Sequence, residues 1–176
     1  MTDKQQQILQ AALELFANEG YAATSTSKIA RQAGVSEGLI FRHFENKQGL
    51  LDALIHYAEE RIQLIADQVL KETDPKSALR RYIRLPFEVP EEEYDYWRLQ
   101  FKLKWSEAYY YPPLIDKITE KLAWAFRALG HPNPEMEAKL LNQMIDTLAV
   151  DIMRRGRDQV LEYRAFLLEK YGVPDE

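Results

Sequence analysis

Between Ser25 and Phe44 the apolar residues recur at helical intervals up to Ala33, break at Gly34, and take up helical spacing again at Ile40 and Phe44. Ile29, Ala30 and Ala33 give the first short helix a small, close-packing side. Ile40 and Phe44, four residues apart, do the same for the second. Gly34 between them permits the positive φ that a tight corner requires. Ser25 and Ser36 stand where the two helices need an oxygen for their free first-turn amides, and Val35 is placed to plug the core. The outer face of the second helix carries Glu37, Gly38, Leu39, Phe41, Arg42 and His43. Two helices across such a turn, the second with a polar outer face, form the helix-turn-helix pattern.

The rest of the chain keeps helical period, and an all-α fold of about nine helices is expected. A first helix runs from about Lys4 to Glu19, with Ile8, Leu9, Ala12, Leu13 and Phe16 on one face and Gly20 as a left-handed stop. Asn46 caps a fourth helix that reaches about Leu70. Residues 76–85 form a short basic helix, and Pro86 and Pro90 bound a loop. Helices follow at 91–110, from Pro112 to about Leu129, at 135–155 and at 157–171, with Gly130–Pro134 as a firm stop. The boundary falls at residue 50, giving a reading domain over 1–50 and a helical domain over 51–176.

Composition narrows the function classes. No apolar run approaches the roughly 18 residues of a membrane helix, and the polar start MTDKQQQ is unlike a signal peptide. A cytoplasmic protein with no membrane partner is expected. The chain has no cysteine and only three histidines, His43, His56 and His131, far apart in sequence. No glycine-rich phosphate loop, Ser-His-Asp order or HExxH is present, so neither an enzyme nor a metal or cofactor protein is expected. The net charge is −5, and residues 1–56 hold five Lys and Arg against six Asp and Glu. Nucleic-acid binding must therefore rest on a few placed donors rather than on a broadly basic surface.

At residue level, positions 5–54 resemble the N-terminal domain of the TetR family of bacterial transcriptional regulators. The resemblance rests on Ile8, Ala11, Ala12, Leu15, Phe16, Gly20 and Tyr21, then Ile29, Ala30, Ala33, Gly34, Val35 and Ser36, then Phe44, Lys47 and Leu50. It implies a homodimer on a palindromic double-stranded operator, with the two reading helices about 34–36 Å apart. It also implies a small-molecule pocket in the C-terminal domain whose occupancy releases the protein from DNA. Phe41 stands where the family usually has Tyr, which removes a phosphate-contacting hydroxyl. Lys28 stands where an acid often completes a capping box.

The expected DNA contacts are Thr26, Ser27, Ser36, Glu37, Gly38, Leu39, Phe41, Arg42, His43 and Lys47. By the resemblance Lys47 is a phosphate clamp and His43 a ring N–H donor to phosphate. Arg42 can donate twice to guanine or contact phosphate, Leu39 can meet a thymine methyl, and Gly38 allows close approach. Glu37 either accepts from cytosine or only favours the helix dipole. Thr26 and Ser27 either offer hydroxyls to the backbone or simply cap.

In the C-terminal domain Trp97, Phe101 and Trp105 recur every four residues, with Tyr109 beyond and Trp124 in the next helix. They are either core or the lining of a pocket for a small apolar or aromatic ligand. Leu141, Met144, Ile145, Leu148 and Ile152, then Tyr163, Phe166 and Leu167, form apolar stripes on the last two helices. These pack within the chain or, as the resemblance implies, form the dimer interface. The expectation is a ligand-responsive DNA-binding transcriptional regulator acting as a repressor. The alternative is a helical dimeric ligand-binding module with weak or lost DNA binding.

Overall fold

A computed structural model describes residues 1–104 and 112–175, and these contain nine α-helices and no strand. The helices are α1 (Asp3–Glu19), α2 (Thr26–Ala33), α3 (Glu37–Phe44), α4 (Lys47–Leu70), α5 (Pro75–Glu88), α6 (Tyr94–Lys104), α7 (Pro112–Ala128), α8 (Pro134–Arg155) and α9 (Leu161–Lys170). Short 3-10 turns precede α6, at Glu91–Glu93, and α9, at Arg157–Val160. None of the described helices is long and apolar enough to cross a membrane.

The contacts divide the chain into two compact units. The first comprises Met1–Arg61 and the described part of 92–109. Its core is the apolar face of α1 (Ile8, Leu9, Ala12, Leu13, Phe16), joined by Ile29, Ile40, Leu50, Leu51 and Leu54. Leu99 of α6 completes that core and is 3% exposed. Helix α6 therefore packs on α1, although the sequence places it far beyond residue 50. Sequence distance hides this packing because, among the α6 side chains described, Leu99 alone is buried and the others are half-buried or exposed.

Local chemistry sets the turns of this unit. Thr2 and Gln5 form a capping box at the start of α1. Gly20 has positive φ, but with an extended ψ of 151° it is not the left-handed helical stop expected. Thr24, 1% exposed, gives its hydroxyl to the Gly20 carbonyl at 2.9 Å and so closes the α1–α2 loop. Ser25 accepts from the Lys28 amide, Gly34 is left-handed (φ 65°, ψ 36°), and Asn46 Oδ1 accepts from the Gly49 amide. Ser36 occupies the cap position of α3 but makes no capping side-chain bond, contrary to expectation. Glu45, between α3 and α4, is the non-glycine residue with positive φ (64°) among those described.

The second unit comprises Ile62–Glu91 and the described part of 110–176. Helices α5, α7 and α8 pack on one another, and α9 packs on α5. Asp74 caps α5 by accepting the Ser77 amide at 2.7 Å, and Pro75 takes the first-turn position that needs no N–H. Helix α5 then continues through Pro86 to Glu88, where a loop was expected. Pro86 and Phe87 are both buried, so packing offsets the missing hydrogen bond. The end of the chain is pinned: Val173 is fully buried, Arg80 donates to the Pro174 carbonyl at 2.8 Å, and Arg164 pairs with Asp175.

Candidate nucleic-acid interface

Helix α3 is held by one side. Ile40 is fully buried, and Leu39 and Phe44 are half-buried against the core of the first unit. Leu39 is thus partly committed to packing, which leaves less of it for a base than an outward leucine offers. Gly38, Phe41 and Arg42 are exposed, Phe41 by 47%. Phe41 and Arg42 thus stand next to each other on the open part of a short, well-anchored helix.

Several expected contacts are engaged within the protein. Thr26 gives its hydroxyl to a Glu37 carboxylate oxygen at 2.5 Å, which ties the start of α2 to the start of α3. Ser27 shares a hydrogen bond with Ser25 at 3.0 Å. His43 presents Nδ1 to the side-chain amide of Gln5 at 3.5 Å and meets the Phe44 ring edge-on. Lys47 departs furthest from the clamp role. Its ammonium donates to the carbonyls of Tyr21 and Thr24 at 2.9 and 3.0 Å and lies 4.2 Å from the Tyr21 ring centre. It closes the α1–α2 loop from the far side, and only one of its three N–H donors is left over.

The remaining cations sort in the same way. Lys28 pairs with Glu19, and Lys4 donates to Gln7. Arg42 and Arg31 make no ion pair or hydrogen bond among the described residues. Arg31, exposed in the last turn of α2, is a donor that the sequence pattern did not single out. Gln5 is another, although the Thr-x-x-Gln spacing of a capping box at Thr2–Gln5 was there to be read.

The aromatic residues proposed as a pocket fall into different units. Trp97 and Phe101, both half-buried, belong to the first. Trp124 belongs to the second, where it is half-buried with the Lys121 ammonium 4.0 Å from its ring centre. Trp105 and Tyr109 lie outside the described residues. The second unit holds buried polar groups of its own. Asn142 donates to the Thr119 hydroxyl at 2.6 Å, and its buried Oδ1 has no partner among the described residues. Burial, reinforced by the charge of Asp146, pushes the Tyr82 hydroxyl well above the usual phenol range.

On the last two helices, Leu141, Ile145, Leu148, Ile152 and Leu167 are buried within the single chain, and Met144 is half-buried. Tyr163 and Phe166 are exposed, by 49% and 62%, as are Met136 and Leu140. The apolar stripe of α8 is therefore mostly spent internally, and Met136 and Leu140 lie outside it.

Comparison with known proteins fits this geometry. Residues 8–54 match the model of bacterial regulatory proteins of the tetR family. An uncharacterised HTH-type transcriptional regulator of Bacillus subtilis is 51% identical over 55 residues, 31% of this chain and 29% of that protein. The nucleoid occlusion factor SlmA of Aliivibrio fischeri is 39% identical over 80 residues, 45% of this chain and 40% of that protein. The chain thus matches less than half the length of these curated relatives. The crystal structure of a TetR-like transcriptional regulator from Rhodococcus sp. RHA1 shares the fold across both units, with a TM-score of 0.79. That likeness covers 95% of this chain and 94% of that one at 20% identity. The anchored α3, its exposed face and the match over its flanking helices lead to one conclusion: residues 8–54 of this chain are similar to the helix-turn-helix domain of the tetR family of bacterial regulatory proteins.

Proposed function

We propose that the protein is a cytoplasmic, dimeric, DNA-binding transcriptional regulator. Each subunit lays α3 in a major groove of a two-fold related operator. The observation that carries this reading is the open face of α3: Arg42 is exposed with no ion pair or hydrogen bond among the described residues, beside exposed Phe41 and Gly38, while Ile40 locks the opposite face. Arg42 supplies the base-reading donors. Met136 and Leu140 on α8 and Tyr163 and Phe166 on α9 supply the apolar surface that a second copy covers. A small apolar molecule bound by the C-terminal helices favours a subunit arrangement that no longer matches the groove spacing, so the protein acts as a repressor that the ligand releases.

One observation favours a second reading, a helical dimeric module with weak or lost DNA binding. Lys47 spends two of its three donors inside the chain, and the first unit has few other free cations. A mobility shift with DNA from the protein's own promoter separates the two. The regulator gives a complex that survives unrelated competitor DNA at physiological salt; a complex lost to any competitor supports the second reading.

A further inference from the structure

Gln5 is half-buried, whereas its neighbours at positions 1–4, 6 and 7 are exposed. Its side chain is held at both ends. The Oε1 atom accepts the backbone N–H of Thr2 at 2.8 Å. That partner can only donate, so the amide orientation is fixed with oxygen toward Thr2 and NH2 away from it. The NH2 faces Nδ1 of His43 across 3.5 Å, linking α1 to α3. Since an amide NH2 only donates, the Nδ1 atom it meets must be the bare, accepting nitrogen. Turning the imidazole over would put a C–H against the NH2 and leave that donor unanswered. In the neutral ring the proton then sits on Nε2.

We propose that Gln5 is a positioning residue for DNA binding: aimed by its capping box with Thr2, it holds His43 as the Nε2–H tautomer and so presents a ring donor to a backbone phosphate. The phosphate role rests on the DNA-binding reading above; the tautomer does not. With Lys47 turned inward, this donor and Arg42 carry more of the interface than the count of basic residues suggests. A ring with the opposite tautomer would present a lone pair to the phosphate and repel it.

Two measurements test this on the full-length chain. The first is a long-range proton–nitrogen correlation spectrum of histidine-labelled protein without DNA, near pH 8, where an ordinary imidazole is neutral. The wild type shows the His43 proton on Nε2. Gln5→Glu keeps a Thr-x-x-Glu capping box but offers Nδ1 an acceptor, so its proton moves to Nδ1. Protonated Nδ1 in the wild type, or bare Nδ1 in Gln5→Glu, overturns the assignment. The second is a double-mutant cycle on a duplex that the wild type selects from random-sequence DNA. Gln5→Met still lets its backbone N–H reach the Thr2 hydroxyl, and it weakens binding about three- to tenfold, the range of one ordinary hydrogen bond. In a His43→Ala background it has no further effect. Independent, multiplicative losses refute the coupling. A wild type that selects no duplex overturns the DNA reading and the phosphate role together, while the nitrogen spectrum still decides the tautomer.

Discussion

Replacing Lys47 by methionine separates a structural lysine from a phosphate clamp. Methionine keeps most of the aliphatic stem and removes only the ammonium. The wild-type ammonium satisfies the Tyr21 and Thr24 carbonyls and sits over the Tyr21 ring. A hydrogen bond from a charged donor contributes about 1.5–3 kcal/mol. Lys47 is half-buried and water can take up part of the loss, so the low end applies, about 1–1.5 kcal/mol for each carbonyl. The ring contact adds about 0.5 kcal/mol. The sum is about 3 kcal/mol, which for a chain of this size lowers the melting temperature by about 6–10 °C. The assay is thermal unfolding followed by circular dichroism, with hydrogen exchange of the α1–α2 loop as a local readout. Lys47→Met should melt early and lose protection at residues 20–25. An unchanged melting temperature, together with uniformly weaker DNA binding and a salt slope lower by about 1, would refute this account and restore the clamp.

Arg42→Ala should relax specificity at one base pair, costing about 1–3 kcal/mol there in a competition assay over single-site operator variants. A uniform loss across all variants would make Arg42 a phosphate contact instead. Leu99→Ala should destabilise the helix-turn-helix unit by about 2–4 kcal/mol in denaturant unfolding, because the leucine is nearly fully buried among α1 side chains. Phe166→Asp should shift the protein toward monomer in sedimentation while helix content is kept, since the exposed ring supports no internal contact at its open face; a dimer that persists places the interface elsewhere. The Ser77 amide, then its hydroxyl, hold the Asp74 carboxyl below its ordinary value of 3.8. Its folded value is the lower one, so the cap stabilises fully above the unfolded value and fades as pH falls through the folded one. The stability gap between wild type and Asp74→Ala should therefore be constant above about pH 5 and narrow below 3.8.

The helix-turn-helix was legible because its signals are local. Ser25 caps, Gly34 turns, Asn46 caps and Ile40 is buried, each from a residue type with few other uses at that position. Lys47 was not legible in the same way. Sequence shows a cation after a capping asparagine, but not that two loop carbonyls converge 26 and 23 positions earlier. The stripe from Leu141 to Ile152 was ambiguous for a different reason. An apolar face reads the same whether its cover is α7 of the same chain or a second copy, and only exposure shows that Leu140 and Phe166 lie outside. Pro86 shows the limit of punctuation rules, since a buried ring can keep a helix going. The sequence pattern marked the open face of α3, but not that Thr26, His43 and Lys47 bond to other residues of the same chain.

Leu99 also bears on how such a protein can be cut and recombined. The reading unit is discontinuous along the chain, closed by a helix that follows some thirty residues belonging to the other unit. A fragment ending near residue 54 would keep α1, α2 and α3 yet lack the leucine that seals the α1 core. Grafting α1 to α3 onto a foreign partner domain therefore carries them over without their full stability, unless the new host supplies an apolar side chain where α6 had placed one.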